Sequence, residues 1–131
     1  MGLADDLRDY LSTSGITGSI FVGEAPEVPD ACLAVIPTAG IGPTRTLSAN
    51  VGNAPVEHCR AQVTARGTTY AACSALMQSA YTKLSGVGER DINSRRYYYV
   101  VPVQTPFYLG LDEAARPVFV ANFDILRAES T

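Results

Sequence analysis

The alternation of hydrophobic and polar positions divides the chain into two helices and several strands. Leucine and tyrosine recur every three or four residues over 3–13, and a similar apolar stripe runs over 69–85, which predicts a helix in each segment. Short apolar runs and period-two alternation predict strands at 19–22, 32–36, 57–66, 95–103 and 117–126. This order favours an α+β fold, with a mainly antiparallel sheet and two helices packed on one face.

The stretch between residues 38 and 55, TAGIGPTRTLSANVGNAP, shows neither the helical nor the strand period. It follows Pro37, which is expected to end the preceding strand because proline lacks a backbone donor. Small and polar residues dominate the stretch, so it buries too little apolar surface to hold one conformation alone. We therefore expect a loop that is mobile in the free protein and becomes ordered against neighbouring chains.

Length and composition bound the class of protein. The 131 residues, of which 47% are hydrophobic and 18% charged, suit one globular domain spanning 1–131. No apolar run reaches the roughly 20 residues that a membrane-spanning helix needs, so no membrane is expected as a partner. The three cysteines cannot all pair, and neither they nor the single histidine follow a metal-binding spacing. We expect the cysteines to be small core residues and predict no metal site and no cofactor.

Charge is distributed unevenly along the chain. The net charge of −3 argues against a nucleic-acid-binding surface of the usual kind. Residues 1–30 hold six acidic residues and one basic residue, a local balance of −5, so the remainder sums to +2. Three of these acids, Asp5, Asp6 and Asp9, are expected on the exposed side of the first helix. Nine of the ten basic residues are arginine, which suits ion pairs at interfaces, although a GC-rich coding sequence explains the same bias.

Two adjacent carboxylates, Asp112 and Glu113, stand between two apolar runs and are candidates for an acid–base pair. Catalysis by such a pair needs two environments that separate the pKa values, usually through burial of one member. The surrounding sequence, GLDEAARP, predicts the polar tip of a hairpin, where both acids meet the same water. We therefore interpret them as a solvated tip, with Arg116 close enough for a local ion pair.

The strand at 57–66 carries the other polar cluster. Period-two alternation places His58, Arg60, Gln62 and Arg66 on one side and smaller apolar residues on the other. No nucleophile or base stands at a spacing that would complete a catalytic group, so we interpret this side as facing solvent or another subunit. If the protein were an enzyme, this cluster would be its site; we predict no catalytic residues.

Three segments resemble, in order, the tail terminator proteins of long-tailed bacteriophages, in the branch often labelled minor capsid protein. They are PEVPDACLAVIPTAG, AQVTARGTTYAAC at the head of the long helix, and VQTPFYLGLDEAARPVFVANFDI. The likeness covers roughly residues 15–126, and its most specific part is the proline-aromatic strand followed by Leu-Gly-x-Asp-Glu. Many relatives carry a basic residue where this chain has Leu111, so a charge contact made there in the family is not expected here.

The resemblance implies a structural virion protein, assembled in the host cytoplasm, that forms a six-membered ring in the tail–neck region. Its implied partners are itself, the tail tube protein, the head–tail connector protein, and DNA that passes through the channel without specific binding. A head-completion or tail-tube subunit of the same virion is the alternative.

Two sets of charged residues acquire roles if the chain forms such a ring. DNA does not bind to an acidic or neutral channel wall, because such a wall neutralises no phosphates. The candidates for that lining are Asp5, Asp6 and Asp9. The alternative is that these acids only solvate the helix. The candidates for subunit or docking contacts, where an arginine cluster meets an acidic tip, are Arg66, Arg95, Arg96, Asp112 and Glu113.

Overall fold

The computed structural model describes residues 2–16, 18–38, 43–44 and 56–128, which form two helices and eight strands. The helices are α1 (Leu3–Thr13) and α2 (Tyr70–Ser85). The strands in chain order are β1 (Ser19–Val22), β2 (Cys32–Thr38), β3 (Pro43–Thr44), β4 (Val56–Arg66), β5 (Arg90–Ile92), β6 (Arg95–Pro102), β7 (Phe107–Leu111) and β8 (Pro117–Ala128). The predicted α+β class and both predicted helices are confirmed.

Local chemistry sets the ends of both helices. At the start of α1 the carboxylate of Asp5 accepts a hydrogen bond from the backbone N–H of Gly2 at 3.3 Å. At the start of α2 the hydroxyl of Thr69 accepts the backbone N–H of Ala72 at 3.1 Å, which satisfies one donor of the first turn. The helix ends before Gly86, where no further apolar stripe continues.

The eight strands of the described residues join one mixed sheet. Its main order is β1-β2-β4-β8-β6-β5, with β3 beside β4 and β7 beside β8. β1 pairs with β2 in parallel, and the remaining strand pairs of the described chain are antiparallel. The antiparallel character is therefore confirmed only in part. Because β8 is long, its first half pairs with β7 and its second half with β6.

The two helices share one hydrophobic core with the sheet. α1 packs on β1, β2 and β4, and α2 packs on β4, β6 and β8. We call the side of the sheet that enters this core the core side, and the opposite side the far side. Fully buried core-side residues of the sheet include Leu33, Val35, Ala61, Val63, Ala65, Ala121, Phe123 and Ile125. Since Gly67 joins β4 to α2, its missing side chain lets the helix approach closely: a Cβ there would lie 2.9 Å from that of Cys73.

Two details of the strand predictions are wrong. Pro37 does not end β2, which continues through it to Thr38. β1 ends before that position, so on that edge no neighbouring strand needs a hydrogen bond from the N–H that proline lacks. The short β5 was not expected, because three residues with two charges show no alternation. Of the predicted loop at 38–55, residues 43–44 pair with β4. Most of the remaining loop residues lie outside the described residues, and so does the prediction that the loop is mobile.

Candidate assembly surfaces

Asp6 is buried, so its expected position on the exposed side of α1 is wrong. Only 1% of the residue is accessible. The hydroxyl of Tyr97 donates to its Oδ2 at 2.5 Å, and Nδ2 of Asn93 donates to its Oδ1 at 2.8 Å. Arg127 brings a positive charge to within 3.7 Å. This carboxylate therefore anchors α1 to the sheet rather than facing a channel.

The anchor continues into a chain of polar contacts on the core side. Nη1 of Arg127 donates to the Tyr97 hydroxyl at 3.2 Å, and its Nε donates to Glu57 at 2.5 Å. Burial and the carboxylate of Asp6 raise the pKa of Tyr97, which keeps the phenol protonated and able to donate. Burial alone would raise the pKa of Glu57, but the hydrogen bond and charge of Arg127 outweigh it and hold that pKa below its usual value. The cluster is satisfied internally, as buried polar groups generally are.

The other two acids of α1 are half-exposed and also have partners in the chain. Asp5 lies 3.6 Å from Nη2 of Arg8. Asp9 accepts Nδ2 of Asn93 at 2.9 Å and Nε of Arg8 at 3.2 Å. The hydrogen bond from Asn93 is the main cause that lowers the pKa of Asp9. Their accessible oxygens keep the channel-lining role open as a prediction for these two residues.

Arg66 is buried too, contrary to its expected place on a solvated or subunit-facing side. It retains 7% exposure and donates to the backbone carbonyls of Pro26 and Pro29 at 2.6 Å each, and of Asp30 at 3.0 Å. These carbonyls belong to residues 23–31, which we call the proline loop. The loop covers the end of the far side, and the arginine fixes it there instead of meeting another subunit.

The hairpin between β7 and β8 confirms the predicted tip, but its two acids have different surroundings. Asp112 accepts the backbone N–H groups of Ala114 and Arg116 at 3.0 and 2.8 Å and the Nε of Arg116 at 2.9 Å. The bond from the Arg116 backbone is the largest cause that lowers the pKa of Asp112. Glu113 is exposed. Asp112 thus shapes the turn, and Glu113 is the acid that the tip offers to a partner.

Arg116 links this tip to the proline loop. Its Nη1 donates to the carbonyl of Glu27 at 2.6 Å and to the carboxylate of Asp30 at 3.2 Å. The two arginines, Arg66 and Arg116, therefore hold the same loop from two sides. The sequence suggested only a local ion pair here, because the loop lies more than 80 positions away in the chain.

Arg95 and Arg96 have intramolecular partners rather than forming a free cationic patch. Arg96 contacts Glu89 at 2.6 Å and Asp91 at 3.3 Å, and 41% of its side chain is exposed. Arg95 is mostly covered and lies 3.7 Å from Glu57. Exposed Arg96 therefore remains the better candidate of the pair for a docking contact.

The far side of β4 holds the polar cluster that a catalytic hypothesis would need. Arg60 pairs across the strands with Asp124 at 2.6 Å, and the pair is about half exposed. His58 and Gln62 are partly buried on the same side. Within the described residues no group of three histidine, cysteine or acidic side chains could hold a metal ion. On this side the charges of Arg60 and Asp124 therefore offset each other.

Among the described strands, β7 carries the most exposed large apolar residues, four in all, and the sequence reasoning missed this surface. Leu109 is 64% exposed and Leu111 62%. Beside them Tyr108 packs against Tyr70 of α2 and Phe119 of β8, with ring centroids 5.1 to 5.4 Å apart. Singly exposed apolar residues are common, whereas several exposed apolar residues on one strand make that strand a candidate for an interaction surface.

The model of a protein family described as bacteriophage tail terminator protein matches residues 6–128. The chain belongs to this family. It is accordingly a structural protein of a phage tail. A comparison with curated protein sequences finds no match. Among solved structures, the fold is similar to a chain of the virion of a native gene transfer agent particle, with a TM-score of 0.64 and 11% identity over 97% of this chain and 95% of that one.

Membership in the tail terminator family agrees with the resemblance drawn from the three sequence segments. None of the helices in the described part of the chain is long and apolar enough to cross a membrane. The apolar run PFYLGL was the available signal for the exposed strand. In the sequence this run indicates only one strand of a hairpin, because an apolar run does not tell which strands flank it in the sheet.

Proposed function

We propose that the protein assembles into a closed ring, a hexamer, that caps the tail tube and joins it to the head connector. The observation that carries this proposal is the family match over 6–128, which leaves only the chain ends uncovered. The similarity to a chain of a gene transfer agent virion supports a place in the virion. The exposed apolar strand β7 supplies a surface that association would cover.

In this role the chain acts through its surfaces and not through a reaction. Arg60 and Asp124 neutralise each other, and Asp6, Arg66 and Asp112 serve the fold itself. Glu113 at the hairpin tip and Arg96 beside β5 are the proposed contacts to the tube or the connector, since both are accessible and opposite in sign.

Passage of DNA through the ring requires a wall that does not bind phosphates. We propose that Asp5 and Asp9 contribute to this wall, because both are accessible acids on the same helix. A negative wall repels the backbone and releases no counterions on contact, so DNA moves through it without a bound state.

The test is a mass measurement of the purified protein combined with electron microscopy, followed by addition to polymerising tube protein. Closed rings of six copies that stop tube growth are expected. A protein that stays monomeric alone and with its tube overturns the proposal, and long tubes formed by the protein itself identify a tube subunit instead. In the virus, deletion of the gene is expected to give tails of irregular length that lack heads.

A further inference from the structure

Beside the first half of β8 the sheet has β1 at one edge and β7 at the other, and these two strands lie at the same level. Across one row of partners, Phe21 of β1 connects to Ala34, Thr64, Val120 and then Phe107 of β7. The next row runs from Ile20 through Leu33, Ala65 and Phe119 to Tyr108. At this level the sheet has the order β1-β2-β4-β8-β7, with one edge strand at each end and no offset between them.

Neither edge strand carries a charged residue or a proline that would block strand pairing, although β1 has only four residues and β7 has a bulge between Tyr108 and Gly110. Within the described residues β7 pairs only with β8, and β1 only with β2, so each leaves one row of backbone N–H and C=O groups open. Natural edge strands are commonly blocked by charge or proline. The sequences SIFV and FYLGL contain neither. By contrast, β5 is charged and β6 ends in Pro102.

We propose that β7 of one subunit pairs with β1 of the next copy, so that the sheet continues from subunit to subunit around the ring. The inference deepens the proposed function and rests on it. The open backbone groups can pair with an extended strand. β1 of a second copy suits β7 because it is of similar length, four residues against five, lacks charge and lies at the same level. A head-to-tail contact can close into a ring only if it adds no rise along the axis, and pairing of two edges at one level meets that condition.

The strand directions fit an antiparallel ladder at this contact. β2 runs parallel to β1, and each of the next three strands, β4, β8 and β7, runs antiparallel to the strand before it. After these three reversals β7 runs opposite to β1. Rotation about an axis along the strands preserves that relation between one copy's β7 and the next copy's β1. With the rows aligned, Phe107 faces Phe21 of the next copy on the far side, and Tyr108 faces Ile20 on the core side. Aromatic and β-branched cross-strand pairs are among the favourable ones.

Pairing of this kind covers the surface that the isolated subunit exposes. The exposed apolar residues next to the proposed strand pairing are Leu109 and Leu111 on β7 and Val22 at the end of β1, which is 37% exposed. A closed ring leaves no open edge at this level, whereas a single subunit has two. The ring is thereby favoured over an open chain of any length, which always keeps one edge at each end.

Oxidative cross-linking tests the pairing. Phe21→Cys and Phe107→Cys together in one chain are expected to give a ladder of covalent oligomers that stops at the size of the ring, since directly opposed residues approach disulfide distance. An equal mixture of the two single variants is expected to stop at dimers. The parent chain, with Cys32, Cys59 and Cys73, serves as the background, and Phe107→Cys with Ser79→Cys on exposed α2 is the control that gives no ladder.

Three results overturn the pairing. Dimers from Phe107→Cys alone indicate two β7 strands meeting each other. Rings visible in the microscope without cross-linking of the double variant place the interface elsewhere while the proposed ring function stands. Monomers by mass and microscopy, also without cross-linking, remove both proposals.

A charge placed on the edge gives an independent measurement. Leu109→Lys is expected to weaken ring assembly at least about tenfold, because the ammonium group loses water in an apolar contact. Ser79→Lys adds the same charge on α2 and is expected to assemble like the parent. The circular dichroism spectrum of each variant shows whether the fold is retained. Unchanged assembly of a folded Leu109→Lys variant contradicts the proposal.

Discussion

Replacing Asp6 by alanine is expected to destabilise the fold by about 3 kcal/mol. Truncating one member of a buried charged pair typically costs about 3–5 kcal/mol, and a buried donor left without an acceptor about 1–3 kcal/mol. Asp6 accepts hydrogen bonds from Tyr97 and Asn93, at 2.5 and 2.8 Å. We expect a loss near the low end of the range for buried charged pairs, because Nη1 of Arg127 lies 3.7 Å from Asp6 and Arg127 keeps Glu57 as a second partner.

Urea unfolding monitored by circular dichroism measures this loss as a shift of the midpoint at constant slope. In a thermal scan about 3 kcal/mol corresponds to a fall of roughly 12 °C for a domain of this size. All variants are compared at one protein concentration, because assembly adds stability by mass action. Asp5→Ala, on the same turn but half-exposed, is the matched control and is expected to cost no more than about 1 kcal/mol.

The contact between Asp6 and Tyr97 is isolated by a double-mutant cycle with Tyr97→Phe. The two losses are expected to be less than additive, since either change alone removes the same hydrogen bond. The reasoning is refuted if Asp6→Ala costs less than about 1 kcal/mol, or no more than Asp5→Ala. Strict additivity in the cycle would separately show that the hydrogen bond contributes nothing.

Two further changes test the fold. Gly67→Ala is expected to lower stability by about 1–3 kcal/mol in the same urea assay, because the added Cβ would overlap α2. Gly88→Ala is the control: its added Cβ meets nothing within 4 Å, so its stability should stay within about 0.5 kcal/mol of the parent. For Glu57 the folded pKa lies below its ordinary 4.5, so its contribution is present above that pH and is lost as pH falls through the folded value. Glu57→Gln should therefore be less stable than the parent at pH 7, and the difference in stability should shrink as the pH falls below 4.5. A difference that stays constant as the pH is lowered until the fold is lost would contradict the assignment.

The local elements of this protein are determined by its sequence. Helix α1 occupies the predicted segment because its apolar stripe has the helical period, and α2 begins at a threonine cap. Strand β4 follows its alternation, with Ala61, Val63 and Ala65 buried as the period requires. These features depend on near neighbours in the chain, so periodicity and capping chemistry suffice to find them.

Burial of charged residues was decided only by the tertiary structure. In the sequence Asp6 looks like any acid of a first helical turn, and Arg66 like any polar member of an alternating strand. Each is buried because its partners come from far along the chain: Tyr97 stands 91 positions from the aspartate, and the proline loop 36 to 40 positions from the arginine. A local pattern carries no information on such distant partners, and without them burial of a charge is too costly to predict.

The level of the two sheet edges depends on tertiary structure in the same way. That β1 and β7 can be strands follows from their apolar runs. That they stand at one height follows from four successive strand registers. Packing of the core side sets these registers, and the bulge next to Leu109 changes only the register between β7 and β8. A shift of one residue would move every side chain of a strand to the opposite side of the sheet. The sequence determines which segments can pair, and only the packed sheet decides which edges remain open to another subunit.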